Sequence, residues 1–311
     1  MTKVEGSKRR TRWLEVAVVA VVAGFFVVTL LARWREVAAA KWRLDPVFFA
    51  LASLVLASSY ALVATLWAIA LRRLAGTPIA TGARIWFLSN LARYVPGNVW
   101  SFVGAVELAR RAGVARRATL AVMATTQALS VGVALLVGLP VLLAERARLE
   151  RPILLGGVAL LLVGVAVVAF RGRLVGLVRR RWPQLDPGEL VPAPATAALL
   201  VAGYAAYWAL TGLAFAGLVR SLAPLPADAV PLVVAAYAAA YAVGFLALVT
   251  PAGLGVREGV LVLALAPVLP AGPALVVALV SRAWMMLVEL AGAGVASLAA
   301  RRLAARAPIS R

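Results

Sequence analysis

Six stretches of this 311-residue chain, 16–32, 46–71, 118–144, 152–170, 193–219 and 274–299, are apolar without an internal break. Crossing a bilayer core as a helix takes about 20 such residues, and a soluble domain rarely has even one. Apolar types make up 64% of the sequence, above the roughly half found in soluble domains, and mean hydropathy is +0.96. Lipid offers no partner to backbone N–H and C=O groups, so each crossing segment must satisfy its own. The chain is therefore read as an all-α polytopic membrane protein.

Two further apolar segments, 85–109 and 229–269, are interrupted, the first by YVPGNVW at 94–100 and the second by VTPAGLGVREG at 249–259. Arg72, Arg73 and Arg84 precede the first break, and Arg110, Arg111, Arg116 and Arg117 follow it. Basic residues collect in cytoplasmic loops, so both ends of 85–109 are placed in the cytoplasm and the segment is predicted to dip in and return. Carried along the chain, the same rule has 229–269 entering from the outer face. The prediction is about six full spans plus two re-entrant broken-helix hairpins, in an inverted repeat with halves 46–144 and 193–299. Residues 1–311 form one membrane domain, with a basic cytoplasmic N-terminus at 1–15, a cytoplasmic loop at 171–192 and both termini inside. The outward placement of RWREVAAAKWRLD, at 33–45, runs against the charge bias. The basic start followed by an apolar run resembles a secretory signal, but ARWRE follows it where a small-residue cleavage site belongs, so it is read as a first span.

Lys and Arg number 32 against 12 acids, a net charge of +20. On a soluble protein that balance would suggest nucleic acid. On a membrane protein it reflects topology and attraction to anionic headgroups, so no nucleic-acid partner is expected. Cysteine and histidine are both absent, which removes disulfides, thiolate chemistry, imidazole ligands and the commonest general base together. Neither HExxH nor a phosphate-cradling GxxxxGK[ST] occurs, and GLGVREG follows no strand of a βαβ unit. No enzyme activity, cofactor or metal is expected.

Irregular backbone at membrane depth survives only where protein or a water-filled cavity satisfies it, so each break predicts a cavity. Pro96 and Pro251 end the preceding helices, and Gly97, Gly253 and Gly255 permit positive φ and close backbone approach. The helix that restarts after a break turns its N–H groups, with their partial positive charge, toward the gap, which favours an anion. Arg93 and Arg257 flank the two breaks and suit forked binding of a phosphate. Glu258, Arg282 and Glu289 are the other ionisable residues at membrane depth and candidates for the same site; Arg282 and Glu289, seven apart, share a helix face. Asn90 and Asn98 either cap the interrupted helices or contact a headgroup. Glu107 is either a site residue or an interfacial partner of Arg110 or Arg111.

YVPGNVWSFVGAVELARRAG at 94–113, TPAGLGVREGVLVLAL at 250–265 and the closing SRAWMMLVELAGA resemble the lysylphosphatidylglycerol synthase transmembrane-region family over roughly 46–300, the PxGxGxRE stretch being most specific. Ala252 stands where that family usually has glycine. The resemblance implies a flippase-like fold with two re-entrant hairpins in a bacterial-type cell membrane. It carries over Pro96, Gly97 and Glu107, and Pro251, Gly253, Gly255, Arg257 and Glu258. No counterpart of the soluble acyltransferase domain is present, so synthase activity is not expected. The leading expectation is a transporter moving an anionic or phosphate-bearing lipid, aminoacylated or glycosylated in some cases, between leaflets, with membrane lipids as its partners. The alternative is a non-catalytic accessory partner of a glycosyltransferase or another cell-envelope enzyme.

Overall fold

The computed structural model describes residues 27–28, 31–40, 42–92, 100–144, 180, 193–247 and 253–306. Among these there is no strand. The helices are α1 (Trp34–Ala39), α2 (Pro46–Ala75), α3 (Ile79–Leu91), α4 (Trp100–Arg111), α5 (Arg116–Ala144), α6 (Pro194–Leu222), α7 (Val230–Leu246), α8 (Val256–Ala264) and α9 (Ala271–Arg306).

Local chemistry sets several boundaries. Asp45 caps α2, its Oδ1 accepting from the N–H groups of Val47 at 3.0 Å and Phe48 at 3.1 Å, and Pro46 occupies the first turn, where its missing N–H costs nothing. The same helix ends in the left-handed Gly76, whose N–H donates to the Arg72 carbonyl at 2.8 Å. Thr77 and Pro78 then start α3 at once.

Cross-helix contacts fix the directions of the elements. α2 and α6 run antiparallel: a Cβ on Gly217 would meet Ala52, and one on Gly203 would meet Leu66. α6 and α5 run side by side in the same direction, with the Trp208 indole donating to the Ser130 carbonyl at 2.8 Å. α7 opposes both, and a Cβ on Gly138 would lie 2.6 Å from the backbone nitrogen of Ala239. Only a residue without a side chain permits that approach, the usual device for packing helices where no hydrophobic effect drives them together.

The bundle thus has two ends. At one, Asp45 N–H donates to Ser221 O at 2.9 Å, and Gly272 N–H to the Glu36 carboxylate at 2.9 Å. At the other, the Arg73 guanidinium donates to the Thr196 hydroxyl. α3 begins at the second end, against the last turns of α2, and α4 returns there to hand over to α5. α7 begins at the first end, after α6, and α8 leads back to it and into α9. α3 packs on α4, and α7 on α8. The two interrupted segments therefore fold as helix–break–helix units built from opposite ends.

Five helices are long and apolar enough to cross a membrane: Pro46–Ala75, Arg116–Leu143, Pro194–Leu222, Ala227–Leu246 and Ala271–Ala299. Four correspond to the uninterrupted segments 46–71, 118–144, 193–219 and 274–299; the expected span 152–170 and most of 16–32 lie outside the described residues. The fifth lies in 229–269, which was expected as a re-entrant hairpin. The arms of that unit are unequal, 17 residues in α7 against 9 in α8: the second helix starts only at Val256, after the glycines, and ends at Ala264. Large apolar side chains face outward along the long helices, Leu54, Leu287 and Val295 each about two-thirds exposed, as a lipid-facing surface requires.

Candidate functional site

Described residues flanking both breaks line one cavity of about 370 Å³. Ser89 and Asn90 at the end of α3 and Ser101 and Ala105 in α4 border it from the first unit. Gly244, Gly253 and Arg257 border it from the second. α9 adds Arg282 and Met285. The remaining wall is aromatic and polar, with Tyr204, Tyr207 and Tyr241 beside Thr126, Gln127 and Ser130.

Backbone geometry at the second break explains its glycines. Gly253 has φ +65° and Gly255 φ +87°, in the left-handed region that side chains disfavour. A Cβ on Gly253 would also lie 2.6 Å from the Gly244 carbonyl oxygen. The loop therefore doubles back directly onto the end of α7 and delivers α8 beside it.

At the start of α8 the charges are arranged unequally. Glu258 has no exposed surface. One of its oxygens accepts from the Gly255 N–H at 2.9 Å and the other from Arg282 Nε at 2.6 Å, so the carboxylate caps the restarted helix and ties it to α9. Arg257, one residue earlier, has 9% exposure. Its Nη2 donates to the Tyr237 hydroxyl at 3.2 Å and contacts Met285 Sδ at 3.4 Å, and its guanidinium carbon lies 5.1 Å from the Tyr237 ring centroid. These partners carry no formal charge. Arg257 Nε is buried with no hydrogen-bond partner among the described residues. A buried cation without a carboxylate is costly to hold, and this one borders a cavity.

The other expected site residues divide clearly. Ser89 Oγ and Asn90 Nδ2 both donate to the Trp86 carbonyl, at 3.1 and 3.0 Å, tying off the end of α3 while lining the cavity. Glu289 is buried in α9 at 1% exposure and is not among the lining residues. Glu107 lies apart, near the end of α4, half-exposed and held by Arg110 Nε and Arg111 Nε, each at 2.9 Å. Hydrogen bonds from Arg110, then Arg111, lower its carboxyl to a pKa of about 2. Arg93, Pro96, Gly97, Asn98 and Pro251 lie outside the described residues.

No family model matches the chain, and no curated protein matches it. The family resemblance carried by 94–113 and 250–265 rests on those residues alone.

The tyrosines and Gln127 were not expected as lining. Gln127 donates to the Tyr241 hydroxyl at 3.1 Å, joining α5 to α7 across the cavity wall. One signal was available: an amide inside an apolar span, and tyrosines spaced three and four apart at 204/207 and 237/241, put polar tips on one helix face.

Proposed function

We propose that the protein is a non-enzymatic lipid transporter of the flippase type, moving an anionic or phosphate-bearing lipid between leaflets. The two helix–break–helix units serve as re-entrant hairpins of an inverted repeat, as in transporters whose substrates bind between broken helices. The observation that carries this reading is Arg257: a guanidinium at a helix restart, nine-tenths buried, bordering a cavity shared by both breaks, with only uncharged partners among the described residues. A phosphate is the counterion such a group favours. The cavity accepts the headgroup while the acyl chains stay in the bilayer, and Glu258 acts through Arg282 and Gly255 to hold the loop in place.

The test is leaflet exchange of headgroup-labelled lipids by purified protein in liposomes, wild type beside Arg257→Ala. Exchange of anionic lipids that falls at least tenfold in the variant is expected, since losing a charge-assisted hydrogen bond costs about 1.5–3 kcal/mol. Absence of exchange with every lipid tested would overturn the reading.

A further inference from the structure

The charges that line the cavity bear on which headgroups it can hold. Arg282 is already matched by Glu258, whose second oxygen is taken by Gly255, which leaves Arg257 as the positive charge still to be neutralised. None of the described lining residues is acidic. Neither connecting segment, 93–99 or 248–252, has an acidic residue in its sequence. The other candidate acids are accounted for elsewhere: Glu107 sits half-exposed with Arg110 and Arg111 at the end of α4, and Glu289 is buried and is not among the lining residues.

A ligand with a single negative charge balances Arg257. A zwitterionic headgroup leaves one positive charge uncompensated at low dielectric, and an aminoacylated one with a net positive charge leaves two. Hydroxyl and amide groups supply the rest of the polar wall, at Ser89, Asn90, Ser101, Thr126, Gln127 and Ser130, and they match hydroxyls better than an ammonium group, which needs acceptors of opposite charge. The aromatic faces of Trp67, Trp86 and Tyr204 give an uncharged hydroxylated ring or chain an apolar surface to lie against. A wall of this kind can also cage a quaternary ammonium, but here that cation would share about 370 Å³ with two guanidiniums.

We infer that the cavity takes a phosphate ester whose remaining headgroup is uncharged and hydroxylated, a glycerol or sugar, and that it rejects amine-bearing headgroups. This rests on the transport reading above and narrows it, because it excludes the aminoacylated lipid that the family resemblance implies.

The experiment is direct binding to detergent-purified protein, followed by tryptophan fluorescence with Trp67 and Trp86 as reporters. The probes are short-chain phosphatidylglycerol, phosphatidylcholine, lysyl-phosphatidylglycerol and free glycerol phosphate. Phosphatidylglycerol is expected to bind at least tenfold more tightly than either amine-bearing lipid, and Arg257→Ala to weaken it tenfold or more while Arg257→Lys retains part of the affinity. The ranking among lipids is measured on wild type and so stands even if the alanine variant does not fold. Equal or tighter binding of phosphatidylcholine or lysyl-phosphatidylglycerol overturns the headgroup inference and leaves lipid transport standing. Glycerol phosphate binding as tightly as the lipid keeps the headgroup chemistry and overturns the lipid as its source. Binding of none of the four overturns both.

Discussion

A carboxylate with no exposed surface needs both oxygens occupied, and Glu258 meets that need with one backbone N–H and one arginine. Replacing it by glutamine keeps the Gly255 contact within reach and removes the charge opposite Arg282. Breaking a buried pair from one side costs about 3–5 kcal/mol, and the 20% exposure of the Arg282 side chain places Glu258→Gln near the lower end of that range. Thermal unfolding in detergent should show this loss, and Glu258→Gln combined with Arg282→Gln should recover part of it; a double variant no more stable than the single one would contradict the pairing. Two of the positive-φ glycines make a second comparison. Gly76→Ala, at φ +67° in open space, should cost only the backbone strain of about 1–2 kcal/mol. Gly253→Ala must in addition displace the Gly244 carbonyl, so its melting temperature should fall further than that of Gly76→Ala. At this scale the sequence was legible where local chemistry decides, in the glycines and the charged pair of the second motif. It left open which acid meets Arg282, Glu289 on the same helix face or Glu258 of the second motif; the partner at 2.6 Å is Glu258, from another element, a contact set by tertiary packing that periodicity cannot report.

The element that departs most from the long apolar spans is α4. Its twelve residues carry Trp100, Phe102 and Val103 exposed on one side and end in a basic last turn, which favours the negative end of the helix dipole. Glu107 is clamped by that turn, and its folded pKa of about 2 lies below the ordinary value of 4.5. The sign follows directly: an acid whose pKa is depressed by folding contributes stability that is present above about 4.5 and is lost as pH falls toward 2. The last turn of α4 should therefore lose amide hydrogen-exchange protection across that window, and Glu107→Gln should remove the pH dependence; protection that stays flat in the wild type would show that the clamp contributes nothing. At this scale α2, α5, α6 and α9 were read from unbroken apolar length, which is what lipid selects. The unequal lengths of α7 and α8 were harder, since an apolar run marks where a helix is tolerated and only the position of Pro251 and the glycines marks where it stops.

Across the whole molecule, the pairing of ends is what turns two Pro/Gly breaks into one cavity. Each unit leaves and rejoins the bundle at a single end, the two units do so at opposite ends, and Ser89 and Gly253, which flank the two breaks, line one cavity with residues of α5, α6 and α9. The charge bias of the loops places both ends of the first broken segment on one side, because basic residues stand on both sides of the break; the tyrosine and glutamine wall was not anticipated, because the spacing of Tyr204 and Tyr207 marks a helix face without saying which other helices it meets. A membrane assigns physical sides to the two ends, and the chain contains no cysteine, so single cysteines report them without background. Ala75 and Ala115 flank the first unit and are exposed, as are Ala227 and Ala266 around the second. If the units are re-entrant, cysteines at 75 and 115 react with an impermeant maleimide from one face of a sealed vesicle, and cysteines at 227 and 266 react from the other. Since α7 is itself long enough to cross, the second pair is the sharper test: labelling of 227 and 266 from opposite faces would make the second unit a full crossing, and would end the inverted-repeat reading while leaving the cavity and Arg257 at its wall in place.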